Sequence, residues 1–379
     1  MTPRENLYRA LTGKSPEWIP ACVHIANANN LPGFLPKRLL SQANLDRLAI
    51  SEFVGGDILY ETNAVNCVLG GNVKTDGRTE GDIRREAIIT PVGVLEQVTQ
   101  FCRVATPQYD NLPAGYALPW PIVTSTKIEH YVKSVKDYGI LRRYFQAQTF
   151  EVNQAHIAQE QNRLGDKGLL VLGGGPSSPL YGLIQNFTGI ERFSYDLADV
   201  PDQIEKTMAV MKEAACRWYA RAVQTTCDAI RCTEDLDTKL ISPEMFRQYA
   251  VPALREYARI CHEHGKLFIL HMCGHVRDLL SDVRKVGADA LHCLSLPPMG
   301  NTPLSFARET LAPRASAMIR FDARVLLKGN SEEISNAISG IIDEANDWRG
   351  FVALIPCGRA SLMAVRHAIN EVHRLGRWI

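Results

Sequence analysis

The chain lacks any excess of charge: 42 lysines and arginines stand against 41 aspartates and glutamates. Phosphate binding calls for a basic surplus or a dense basic patch. The short clusters Arg84-Arg85 and Arg142-Arg143 read as solvated faces, so nucleic acid is not expected as a partner. Also missing is an uninterrupted apolar run of membrane-spanning length. The opening MTPRENLYRALTGK is polar, without the apolar core of a signal segment, so a cytoplasmic protein away from any membrane is expected. A third absence is a disulfide framework. Ten cysteines are scattered over 379 residues, unlike the dense spacing of a small secreted domain. Reduced thiols are therefore expected, most of them buried and inert. No low-complexity tract, linker or fixed-period repeat interrupts the sequence.

What is present is an alternation of two patterns. Apolar residues make up 46% and charged residues 22%, the balance of a soluble globular enzyme. Short aliphatic or β-branched runs occur at 19–24, 57–61, 169–174, 228–234, 267–273, 290–295, 316–321 and 351–357. Between them lie stretches with helical apolar spacing. The clearest begins at Ser242-Pro243-Glu244, where a capping serine precedes proline and an acid, and runs to Gly265 with Pro252 marking a bend. A second runs from about Glu332 to Trp348. Eight strands alternating with helices predict an α/β fold, a (β/α)8 TIM barrel forming a single domain over residues 1–379. Residues of approximately 62–165 exceed what one crossover needs. They are expected to form an insertion near the barrel mouth, with a β-hairpin turning at Pro91-Val92-Gly93 and then a helical stretch to Gly165.

Chemistry in such barrels gathers at the carboxyl ends of the strands. Those ends offer His24, Glu61, Glu234 with Asp235 and Asp237, then His271, Cys273 and His275, then His292, Cys293 and Ser295, then Arg320, Asp322 and Cys357. His271 and Cys273 are two apart on a strand and leave the same face. With Cys357 they would supply one nitrogen and two sulfurs. That set leaves a tetrahedral zinc one open position, as catalytic zinc requires. Ordinary explanations compete. Cys357 and Cys293 read equally as buried core thiols. Glu234 and Asp235 could cap a helix or pair with Arg231, and His275 could cap the following helix.

The segments RENLYRALTGKSPEWIPA, LISPEMFRQYAVPALREYARICHEHGKLFILHMCG and VLLKGNSEEI resemble the uroporphyrinogen decarboxylase superfamily over essentially the whole chain. That superfamily has TIM-barrel decarboxylases and a branch of zinc-dependent methyltransferases that work with corrinoid proteins. The decarboxylases carry an arginine-rich motif after the first strand. Here the stretch is VHIANANNLPGF, with no arginine before Arg38. The methyltransferases carry His-x-Cys on the fifth strand and a distant cysteine on the last, positions held here by His271, Cys273 and Cys357.

The resemblance therefore implies zinc on those three residues; Glu234 and Asp235 are the expected catalytic carboxylates, and Glu234 could be a fourth ligand or orient His271. Location alone suggests His24, Asn27 (with Asn29 and Asn30), Gly174 and Arg320 as substrate contacts. The Asp-x-His-x-x-Gly fingerprint of corrinoid carriers is missing, so the corrinoid is expected on a separate partner protein. The enlarged segment around ITPVG resembles members that take methyl from a small methylated substrate, such as a methoxylated aromatic. Transfer from a methylcorrinoid to a thiol and a decarboxylase-type carboxy-lyase stand as alternatives, together with a non-catalytic barrel. A homodimer is left open.

Overall fold

In a computed structural model of the chain, residues 1–25, 35–36, 47–103, 116–117, 123–345, 348–357 and 360–377 are described. Eight parallel strands build the central sheet: β1 (Ala21–His24), β2 (Ile58–Thr62), β3 (Gly168–Gly175), β4 (Ala229–Thr233), β5 (Leu267–His271), β6 (Ala290–Ser295), β7 (Ser316–Arg320) and β8 (Phe351–Pro356). Their order is β1-β8-β7-β6-β5-β4-β3-β2. A parallel bridge between Cys22 and Asp57, just ahead of β2, brings the two edges together. The chain is a (β/α)8 barrel, and every strand expected from the sequence is one of its staves.

Alternation along these strands divides the core in two. Leu169 and Val171, Leu267 and Ile269, Val352 and Leu354, with Ala229, Ala290 and Met318, cluster inside the barrel. Their neighbours Leu170, Ile230, Phe268, Leu270, Ile319 and Ile355 face outward in the larger cluster beneath the helices. Both faces of a parallel barrel are covered, so its strands are near-continuous apolar runs. The helix Pro3–Leu11 is capped by Thr2 and closes the amino-terminal end of the barrel. Its Leu7, Ala10 and Leu11 are fully buried in the inner cluster. Arg4 pairs with Asp228, and the Ala10 carbonyl accepts from Ser316, both residues lying at strand starts. Each buried leucine contributes about 2 kcal/mol relative to exposure.

The expected helix after Ser242 is interrupted. Ser242 caps Pro243–Met245, a π-turn spans Phe246–Ala250, and Val251–Glu263 completes it. Pro252 lacks the N–H that a continuous ladder would require, and the wide turn lies immediately before it. Between β2 and β3, Ile83–Thr90 and Gly93–Arg103 pair antiparallel, with Thr90 opposite Gly93 at the turn. Lys74–Glu80 and Val123–Glu129 extend this into a four-stranded sheet. The stretch read as continuously helical divides into Asp137–Gln146, a strand Gln148–Val152 and Gln154–Leu164. The strand forms because Gln148 and Phe150 alternate into the core while it pairs antiparallel with Val65–Leu69. No helix among the described residues is long and apolar enough to cross a membrane.

Candidate metal centre

Two residues beyond each inner apolar position, the same alternation delivers polar side chains to one level of the barrel. His24 follows Cys22, Glu61 follows Leu59, Arg231 follows Ala229, His271 follows Ile269, His292 follows Ala290 and Arg320 follows Met318. All lie toward the carboxyl ends of their strands, where barrel enzymes place their chemistry.

His271 and Cys273 come together, and Asp235 joins them. One ligand atom from each of the three lies within 4.8 Å of the others. The Cys273 thiol donates to Asp235 Oδ1 at 2.9 Å, and the Cys273 backbone N–H donates to the same oxygen at 3.2 Å. His271 Nε2 is 4.0 Å from that oxygen. Burial, the Arg231 charge and Arg320 push His271 down to about 4 against the pull of Asp235, so its ring is neutral at neutral pH, the form a metal binds. Burial and the hydrogen bond to Asp235 push the Cys273 thiol well above its ordinary range. An oxygen, a nitrogen and a sulfur this close fit a zinc ion, which would also draw the proton off the thiol.

The other face of His271 meets a residue to which the sequence gave no role. His271 Nδ1 lies 2.7 Å from Nδ1 of His292, whose ring is buried and held neutral by that burial and by its histidine neighbours. Partners of this kind fix the tautomer of a ligating histidine. The signal was present in ALHCLS, where His292 stands two residues past the interior Ala290. His24 packs edge-on against His292 with ring centroids 5.1 Å apart. It is pushed down to about 3 by burial, then by His271, Arg320, Arg231 and Arg47.

The remaining expected residues divide. Glu234 is fully buried, and its carboxylate is held by the backbone N–H of Ser178 at 2.7 Å and by the Ser178 hydroxyl. Burial raises it to about 7 although both Ser178 hydrogen bonds oppose this. Its own backbone N–H donates to the His271 carbonyl at 2.9 Å, which locks the two strand ends together. Tyr181 overlooks the same place, since Asp235, Glu234 and Cys273 add to the burial that raises its hydroxyl. Arg320 donates to the Cys293 sulfur and lowers it, though burial still lifts that thiol to about 11.

Gly174 is exposed, with φ of +74°, beside Asn63. Its neighbour Gly173 lies under Glu61: a Cβ there would stand 2.1 Å from Glu61 Oε1. Glu61 in turn accepts from Arg231 Nη2 at 2.6 Å. Asn27, Asn29 and Asn30 lie outside the described residues. Cys357 joins neither group of candidate ligands. It follows Pro356 by one residue and is fully buried with Ile355 in the outer cluster, where burial alone lifts its thiol to about 12.

The sequence profile of uroporphyrinogen decarboxylase (URO-D) matches residues 124–375, most of the barrel and all the residues of this site except His24, Arg47 and Glu61. The chain belongs to the uroporphyrinogen decarboxylase family. A methyltransferase structure from Methanosarcina mazei superposes with a TM-score of 0.61 at 14% identity, over 99% of both chains, so its fold is the fold of this chain. A D-psicose 3-epimerase from Clostridium cellulolyticum H10 reaches a TM-score of 0.35 at 14% identity, covering 59% of this chain and 83% of its own. That likeness is too slight to argue from. No curated protein sequence matches this family member.

Proposed function

We propose that this family member is a zinc-dependent methyltransferase. It would move a methyl group from a small methylated donor, a methoxylated aromatic being the expected class, to the cobalt of a separate corrinoid protein. The observation that carries the proposal is the Asp235–His271–Cys273 group, three different donors on one side of a barrel mouth. The full-length likeness of fold to the Methanosarcina mazei methyltransferase is consistent with it. His271 and Cys273 would hold the ion. Asp235 completes the set among the groups in reach, and Cys357 completes the set implied by family resemblance. Bound there, zinc would activate the heteroatom carrying the methyl group, as a thiolate or by Lewis-acid withdrawal.

The chain's own residues prepare that position. His292 holds His271 in one tautomer, and Asp235 holds the Cys273 thiol hydrogen in the direction of the site. Glu234, bound by Ser178, ties the ends of β4 and β5 and keeps Asp235 within reach. The apolar barrel beneath excludes water from the lower side of the layer.

One observation favours a second reading, a decarboxylase-type carboxy-lyase. Arg47, Arg231 and Arg320 all act on His24, and a barrel mouth rich in arginine suits substrate carboxylates. Two measurements separate the readings. Metal analysis of anaerobically purified protein should find zinc in wild type and one zinc fewer per chain in Cys273→Ser. Methyl transfer with a corrinoid protein and a methoxylated aromatic should then depend on that zinc. Metal-free wild-type protein that turns over uroporphyrinogen would replace the first reading with the second.

A further inference from the structure

We propose that His24, His292 and Cys293 form a second metal site, suited to a borderline-soft ion such as zinc or cobalt(II) and distinct from the Asp235–His271–Cys273 group. The inference goes beyond the methyl-transfer reading and does not depend on it.

One ligand atom from each of the three residues lies within 4.8 Å of the other two, and all three side chains are buried. Bond lengths of about 2.0 Å to nitrogen and 2.3 Å to sulfur would hold tetrahedral ligand atoms roughly 3.3–3.6 Å apart. A small closure of the three therefore suffices. Among the described residues neither ring nitrogen of His24 has a hydrogen-bond partner, although the residue is only 6% exposed. Each buried polar group left unmet costs about 1–3 kcal/mol, so a ligand that met this ring would be stabilising. Beside it, His24 and His292, though not Cys293, line a cavity of about 40 Å³ together with Glu61, Arg47 and Arg231. That is room for one ion or one water.

The third donor reaches this position by a departure from regular strand geometry. In the pairing of β6 with β7, His292 stands opposite Met318 and Leu294 opposite Ile319, which leaves Cys293 as an extra residue. Its φ is +73°, unusual for any residue but glycine. The bulge lets two successive residues, His292 and Cys293, both serve the interior. Of the surrounding arginines, Arg231 is tied to Glu61 and Arg320 hydrogen-bonds the Cys293 sulfur. Because Nδ1 of His292 accepts from His271, the ion would displace the proton from Nε2 of His292, and the resulting imidazolate with a thiolate at Cys293 would supply the charge that balances the ion. Two histidine nitrogens and a thiolate select zinc, cobalt or copper over magnesium or calcium.

The test is cobalt(II) titration of the full-length protein, purified anaerobically and stripped of metal, followed by absorbance of the cobalt–thiolate band and by metal analysis. Wild type should take up two equivalents. Cys293→Ser and His24→Phe should each take up one and lose about half of the band intensity expected for two cobalt–thiolate bonds. Cys273→Ser should also take up one, and the double variant Cys273→Ser with Cys293→Ser none. An uptake that is the same in wild type and in Cys293→Ser would overturn the proposal. Both equivalents surviving in Cys273→Ser would instead defeat the metal set of the methyltransferase reading. If Cys293→Ser fails to fold by circular dichroism, His24→Phe decides, since it removes another donor of the same site.

Discussion

Nδ1 of His271 and Nδ1 of His292 lie 2.7 Å apart, so one proton serves two imidazoles. With Nε2 of His271 turned toward Asp235 and Cys273, the ligating tautomer carries its proton on Nδ1 and donates it to His292. Replacing His292 by phenylalanine keeps a buried ring and removes the acceptor. Zinc affinity at His271 and Cys273 should fall about 10–100-fold, measured by competition with a chromophoric chelator. Unchanged affinity would leave the contact without a role in metal binding.

The membership of the first ligand set can be read from four variants side by side. His271→Ala and Cys273→Ser should each lose one zinc per chain. Asp235→Asn should weaken it, because the oxygen that meets both partners loses its charge. Cys357→Ser should keep its zinc, since that thiol lies with Ile355 in the outer layer. Zinc lost from Cys357→Ser but retained in Asp235→Asn would transfer the third position to the cysteine that family resemblance implies.

Gly173 admits Glu61 because it has no side chain. In Gly173→Ala the new methyl would meet the Glu61 carboxylate, whose Oε1, Cδ and Cγ all lie within 2.8 Å of its position. Glu61 must move and its pair with Arg231 must loosen. A loss of about 1–3 kcal/mol in urea denaturation is expected. Adding Glu61→Ala to that background should recover part of it, which a backbone effect at position 173 would not permit.

Away from the mouth, Asp282 is fully buried and accepts from Arg247 and Lys285. Burial alone would raise its pKa, but those hydrogen bonds outweigh it and the carboxyl titrates below its ordinary value. A depressed carboxylate contributes stability above its unfolded pKa and loses it as pH falls through the folded one. Asp282→Ala should therefore cost about 1–3 kcal/mol at pH 7. The difference from wild type should shrink below about pH 4, as followed by denaturation across that range. A difference that stays constant down to pH 2 would mean that packing, not charge, holds the site.

Much of this could be read in the sequence, for a physical reason in each case. A barrel strand is buried on both faces, so LLVLGG and LFILHMC stand out as apolar runs whatever surrounds them. Residues two apart share a face, so His271 and Cys273 could be paired before any fold was known. The same rule applied to Cys357 needed its parity relative to Val352 and Leu354, and one residue of register turns it away. The bulge at Cys293 depends on how β6 pairs with β7, which no property of ALHCLS reveals. His292 was noticed at a strand end but had no partner, because its contact with His271 exists only between neighbouring strands. The strand Gln148–Val152 was hidden between two helices, its five residues too few to break the helical pattern around them.

The barrel also separates its duties by height. Helix Pro3–Leu11 and two storeys of leucine, isoleucine, valine, alanine and methionine carry the weight of folding. Histidines, arginines and a glutamate occupy the storey above. Substitutions should therefore become more tolerable for folding, and more consequential for chemistry, from the floor of the barrel to its rim. A lineage could exchange the rim for another set of ligands while the floors beneath kept the chain folded, so one scaffold can pass between reactions without an unfolded ancestor in between.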